Sequence, residues 1–300
     1  MSIAKYIREI GRGKDGARAL TRAQATDLLG QVLDGTVSDL EVGGFCLAMR
    51  IKGETPEEMA GFLDASHARL QKVPAHQPVV VLPSYNGARK LPGLLPLLAL
   101  LLARAGAPVL VHGTPTESSR IYTADVLSAL GVAAQTQITE LQAGQVQFVP
   151  TALLCRGLQR LLEVRRAVGL RNPAHSLVKL MNPVDGPALI VSSYTHPEYA
   201  QSMAATFALT RANAVLLRGT EGEPVADPRR LPRLEGFIDG QPLELQAAQG
   251  GSLLNLPGLP PGPEAAGTVA FIEAVLAGQQ PVPPPIAVQV EHILQLLKRC

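Results

Sequence analysis

Apolar positions recur at helical spacing through the first seventy or so residues. Leu28, Leu29, Val32 and Leu33 share one face behind Thr21 and Gln24, which stand at capping-box spacing, and Asp34-Gly35 ends the run. Ser38 caps a second helix through Phe45, Leu47 and Met49 to near Lys52-Gly53. Thr55-Pro56-Glu57-Glu58 opens a third, with Thr as cap, Pro in the first turn and acids at the positive end of the helix dipole; Met59, Phe62 and Leu63 form its apolar stripe. Three short helices with tight loops predict a small bundle.

From Val79 the period changes. Val79-Val80-Val81-Leu82 is a continuous β-branched run of the kind found in buried parallel strands. A Pro-Ser-Tyr-Asn-Gly loop, a Leu-rich helix within 91–103 and a second strand at 108–111 follow. The alternation continues through a helix at 124–130, strands at 146–149 and 189–192, a helix at 198–209 and a strand at 214–217. Such alternation predicts an α/β fold with a mainly parallel central sheet and flanking helices. Residues 151–170 read as a basic helix expected to rejoin the bundle. The expected organisation is therefore a helical bundle domain of 1–72 joined by about 151–172, and an α/β domain of 73–150 and 173–300. Beyond Pro224 the chain is rich in Pro and Gly, with 256–263 as an extended connector and two last helices at about 264–277 and 286–299.

Composition narrows the class. Of 300 residues 46% are apolar and 17% charged, enough to build a core; with 4% aromatics and no Trp, Leu, Ala and Val must fill it. The apolar part of 91–103 is far shorter than the roughly 20 residues a membrane span needs. Cys46, Cys155 and Cys300 lie far apart, without zinc spacing or a disulfide framework. The N-terminus carries no apolar signal core, so a cytoplasmic location and no membrane partner are expected.

The net charge of +2 conceals an uneven distribution. Residues 1–22 hold Lys5, Arg8, Arg12, Lys14, Arg18 and Arg22 against two acids, a local +4. Residues 151–180 hold Arg156, Arg160, Arg165, Arg166, Arg171 and Lys179 against Glu163 alone, a local +5. These runs are either solvated helix faces or one field that attracts polyanions.

In open α/β folds ligands bind where strands give way to loops. Four loops qualify: 83–90, with Tyr85, Asn86, Arg89 and Lys90; 112–120, with His112 and Arg120; 165–172, with Arg165, Arg166 and Arg171; and 219–224. Tyr85 is the one aromatic among them, suited either to stack on a base or to pack across its own loop.

These segments together resemble a known family. Residues 37–58 are similar to the N-terminal helical domain of anthranilate phosphoribosyltransferases; His112-Gly113 with 124–131 resembles that family's Lys-His-Gly block, and 164–171 with Asn182-Pro183 its substrate-side segment. The resemblance runs from about residue 3 to residue 225 and implies a helical domain, a larger α/β domain, a cleft between them and a homodimer formed through the helices. It also implies phosphoribosyl pyrophosphate held by a Gly-Thr-Gly-Gly-Asp loop, and magnesium held by an Asp-Glu pair. Here Ser84-Tyr85-Asn86-Gly87-Ala88-Arg89 replaces the glycine loop, Val111 the phosphate-binding Lys, and Pro224-Val225 the Asp-Glu pair. Residues 10–14, 83–90, 171–175 and 196–199 resemble the YbiB-type branch of the superfamily, taken to bind nucleic acid; relative to it the chain is expected to end short of a final helix.

The expectation is a nucleic-acid-binding protein without catalytic residues, metal or cofactor. Lys14, Arg89, Lys90, Arg120, Arg165, Arg166, Arg171, Tyr85, Asn86 and His112 would line a basic inter-domain groove of a homodimer. The alternative is a phosphoribosyltransferase keeping His112, Arg166 and Asn182 for an anthranilate-like acceptor, with Glu221 or Glu223 recruited for magnesium and phosphoribosyl pyrophosphate as donor. A regulatory domain sensing a small anion would use the same cations.

Overall fold

The computed structural model describes residues 2–13 and 15–300. The chain divides into two units, Met1–Gln71 with Thr151–Pro183 and Lys72–Pro150 with Val184–Cys300.

The first unit is helical: α1 (Ala4–Ile10), α2 (Arg22–Leu33), α3 (Asp39–Lys52) and α4 (Pro56–His67) are followed, after an excursion of the chain into the second unit, by α7 (Thr151–Leu154), α8 (Arg156–Val168) and α9 (Ala174–Leu177). The starts of α2, α3 and α4 are set locally. Thr21 with Gln24, Ser38 with Glu41 and Thr55 with Glu58 each form a complete capping box, which satisfies amide groups that the first helical turn leaves without partners. Helix α2 packs on α4 because Gly61 leaves room: a Cβ there would lie 2.3 Å from the Arg22 carbonyl oxygen. Phe45 and Phe62 meet edge to face at 6.0 Å in the core. Residues 173–183, expected in the α/β domain, belong to this unit instead. A long-range polar anchor holds them there: the Asn182 amide donates to His67 Nε2 at 3.0 Å.

The second unit contains β1 (Val73–Pro74), β2 (Val79–Ser84), α5 (Leu95–Arg104), β3 (Val109–Gly113), α6 (Thr123–Ala129), β4 (Val146–Pro150), β5 (Val184–Asp185), β6 (Ala188–Tyr194), α10 (Pro197–Thr210), β7 (Ala214–Arg218), β8 (Leu234–Ile238), β9 (Gln241–Gln246), α11 (Ala265–Leu276) and α12 (Pro284–Leu297). Strands β1 and β5 pair with each other, and the remaining seven form one sheet in the order β4-β3-β2-β6-β7-β8-β9. The first five run parallel, and β8 and β9 are antiparallel additions. Every residue of β2 is buried, as a strand covered on both faces requires. The apolar core joins Val80, Leu82 and Val111 of the sheet to Leu98 and Leu102 of α5 and to Ile272, Ile286 and Ile293 of the last two helices. No described helix is long and apolar enough to cross a membrane.

The β8–β9 hairpin lies in the stretch between Pro224 and the connector at 256–263, for which the sequence reading gave no element. Its turn is Asp239-Gly240, with φ of 51° and 74°, the left-handed pair that a two-residue hairpin turn needs. That dipeptide between two apolar alternations was the available signal.

Candidate functional site

Strand order reverses at β2. From β2 the chain steps outward through β3 to β4, then returns to β6 on the other side and continues to β7. The carboxyl ends of β2 and β6 are therefore a topological switch point, where α/β sheets place their ligands. The loops after β2, β3 and β7 meet there.

The β2 loop turns at Gly87, whose φ of 68° a side chain would strain. This turn aims the amides of Tyr85, Asn86 and Gly87 at one point, an anion-binding nest. The point is filled by the chain itself. Glu223 Oε1 accepts from all three amides, at 3.1, 2.7 and 2.9 Å, and Glu223 is 4% exposed. Two residues earlier, Glu221 Oε1 accepts from the Lys90 and Leu91 amides at 2.8 and 3.1 Å. The β7 loop is pinned between them: the Gly222 carbonyl accepts from Asn86 Nδ2 at 2.6 Å and from Ser193 Oγ at 2.8 Å. Gly222 has φ of 85°, and a Cβ there would lie 2.2 Å from Asn86 Nδ2. The β3 loop joins through Thr116, which donates to the Tyr85 carbonyl at 3.0 Å, and through Arg120, which donates to the Gly87 carbonyl and pairs with Glu117.

Several expected contact residues are removed from solvent by this arrangement. Tyr85 is buried and its hydroxyl meets His112 Nδ1 at 2.8 Å, so it packs across its loop and offers no stacking face. His112 is fully buried; desolvation alone lowers its pKa to about 3, so it is neutral and reaches neither a polyanion nor an acceptor substrate. Asn86 is buried in the Gly222 clamp. Arg89 and Lys90 are exposed, and Arg120 is half-buried against Glu117 and Gly87.

In the helical unit the picture differs. Arg165 and Arg166 occupy the last turn of α8, which ends at Gly169 in the left-handed conformation, and Arg171 follows. Arg165, Arg171 and Lys179 all bear on His175: burial is the largest cause and Arg171 the next, and together with Arg165 and Lys179 they lower its pKa to about 4 against a weaker opposing hydrogen bond from Asn172. Arg165, Arg171 and Lys179 are half-buried, while Arg156, Arg160 and Arg166 are exposed on α8. The N-terminal run is more nearly neutral than its sequence suggests, because Lys5, Arg12 and Arg22 pair with Asp27, Glu9 and Asp64. Lys14 lies outside the described residues.

The magnesium implied by the resemblance does not fit this donor set. Glu221 and Glu223 each give an oxygen to backbone amides, and no group of three or more His, Cys, Asp or Glu suited to a metal exists among the described residues. Sequence reasoning weighed these glutamates as metal ligands and missed their role as loop caps. The signal was an acidic Gly-Thr-Glu-Gly-Glu loop facing an Asn-Gly turn that has amides to satisfy.

Comparison with known proteins agrees with this architecture. The helical bundle domain of the glycosyl transferase family matches residues 4–69. The protein YbiB of Escherichia coli K12 is 40% identical over 302 residues, covering 97% of this chain and 92% of YbiB. An anthranilate phosphoribosyltransferase of Symbiobacterium thermophilum is 29% identical over 72% of this chain and 64% of its own length. The crystal structure of anthranilate phosphoribosyltransferase from Thermus thermophilus superposes with a TM-score of 0.72, covering 98% of this chain and 97% of that one at 20% identity, a likeness of fold. The bundle, the sheet order and the near full-length match to YbiB place the chain in one family: it belongs to the YbiB-type, anthranilate phosphoribosyltransferase-like proteins of glycosyltransferase family 3.

Proposed function

We propose that this protein binds nucleic acid with little sequence preference and does not transfer phosphoribose. The observation that carries the reading is the set of exposed arginines on α8, Arg156, Arg160 and Arg166, in a segment whose one acid is Glu163. Guanidinium groups on a rigid helix suit phosphate oxygens, and contacts of this kind position a backbone without reading bases. The filled cradle at Glu223 supports the second half of the reading, since a diphosphate needs the amides that this carboxylate holds. Neither magnesium nor phosphoribosyl pyrophosphate is part of the proposal.

The acting species is a homodimer formed through the helical unit. Helix α3 supports this with Leu40, Leu47 and Ile51, which are 86%, 41% and 69% exposed and fall on one face at i, i+7 and i+11.

The test is fluorescence anisotropy of a labelled oligonucleotide titrated across salt concentrations. Log affinity should fall linearly with log salt, by about 0.7 to 0.9 per neutralised phosphate. R165E combined with R166E should weaken binding to all sequences alike and flatten that slope by about 1 for each phosphate no longer neutralised. Absence of binding at low salt, or turnover of anthranilate with phosphoribosyl pyrophosphate and magnesium, overturns the proposal.

A further inference from the structure

We propose that the amides of Tyr85, Asn86 and Gly87 form an oxyanion site kept shut by the chain's own carboxylate, Glu223, and that this lock excludes phosphate and pyrophosphate from the switch point. Three consecutive backbone donors on one oxygen are what a nest offers a phosphate oxygen, and here the oxygen is covalently part of the chain. Burying this carboxylate is favourable only because the amides surround it, and the amides are satisfied only because it is there.

The geometry makes the carboxylate hard to displace. Glu223 is delivered by a loop whose Gly222 carbonyl is clamped by Asn86 and Ser193, so the competing anion is preorganised. Free ligand must outcompete an intramolecular group held at an effective concentration on the order of millimolar or above. The space left beside it is also small. Glu223 Oε2 and Thr220 Oγ1 are buried without a protein partner and border a cavity of about 10 Å³. That is about one water, and it is too little for a phosphate.

The lock does not rest on the nucleic-acid reading. Its residues lie in the α/β unit, and R165E/R166E leaves them untouched. The experiment is calorimetric titration of the full chain with inorganic phosphate and pyrophosphate, on wild type, E223A and E223S. The wild type should bind neither at millimolar concentration, whereas E223A should bind pyrophosphate at least tenfold more tightly and gain thermal stability on adding phosphate or formate. Equal binding by wild type and E223A overturns the proposal, and so does a folded E223A that takes up neither anion. Where E223A does not fold, E223S carries the test: its side chain is too short to reach the three amides, so it should also bind pyrophosphate at least tenfold more tightly than wild type, and equal affinity overturns the proposal.

Discussion

Acidification should destabilise this protein through two buried imidazoles, one in each unit. His112 and His175 have pKa values lowered from 6.5 to about 3 and about 4, the first by burial, the second by burial and then by Arg171, Arg165 and Lys179. The unfolded chain protonates both near 6.5 and the folded chain does not, so between about pH 6.5 and pH 4 the unfolded state binds more protons and stability rises with pH. The contribution is complete above about pH 6.5 and is lost as pH falls toward the folded values. At about pH 5 each imidazole lies about 1.5 units below its unfolded pKa. One unit corresponds to about 1.4 kcal/mol, so each costs about 2 kcal/mol relative to neutral pH. The two together cost about 4 kcal/mol, a large share of a typical folding stability. Urea unfolding at about pH 7.5 and pH 5 measures the difference, and H112Q and H175Q assign it: each variant should lose about half of the wild-type pH dependence. A wild type equally stable at both values, or variants with its full pH dependence, would refute the assignment of these rings as neutral in the native state.

Ile51→Glu should abolish self-association while changing monomer stability by about 0.5 kcal/mol or less, since the side chain is 69% exposed in the single chain; sedimentation equilibrium beside urea unfolding checks both halves, and a monomeric wild type would sink the prediction. Gly222→Ala combines a left-handed backbone with a Cβ 2.2 Å from Asn86 Nδ2 and should cost about 2–4 kcal/mol, read as a lower thermal midpoint. An unchanged midpoint would mean that the clamp on Gly222 is not rigid.

Helix starts and buried strands were legible in the sequence because they obey short-range rules. A capping box needs two residues three apart, as at Thr21 and Gln24, and a doubly covered strand needs an unbroken apolar run, as at 79–82. Segment 173–183 was assigned to the wrong unit because its anchor, His67, is a tertiary partner that no local pattern announces. Tyr85 and His112 looked like contact residues because residue type reports chemistry and not burial, and each is buried against the other.

By itself the sequence determined the class of fold, the starts of α2, α3 and α4, the buried strands of the sheet's centre and the two basic runs. Only the tertiary structure decided what the vacated loop holds. Residues 85–87 and Glu223 lie more than 130 positions apart and meet because parallel strands β2, β6 and β7 bring their carboxyl ends to the same switch point. The physical reason is that any non-proline residue can supply a backbone donor, and folding alone selects which acceptor reaches it.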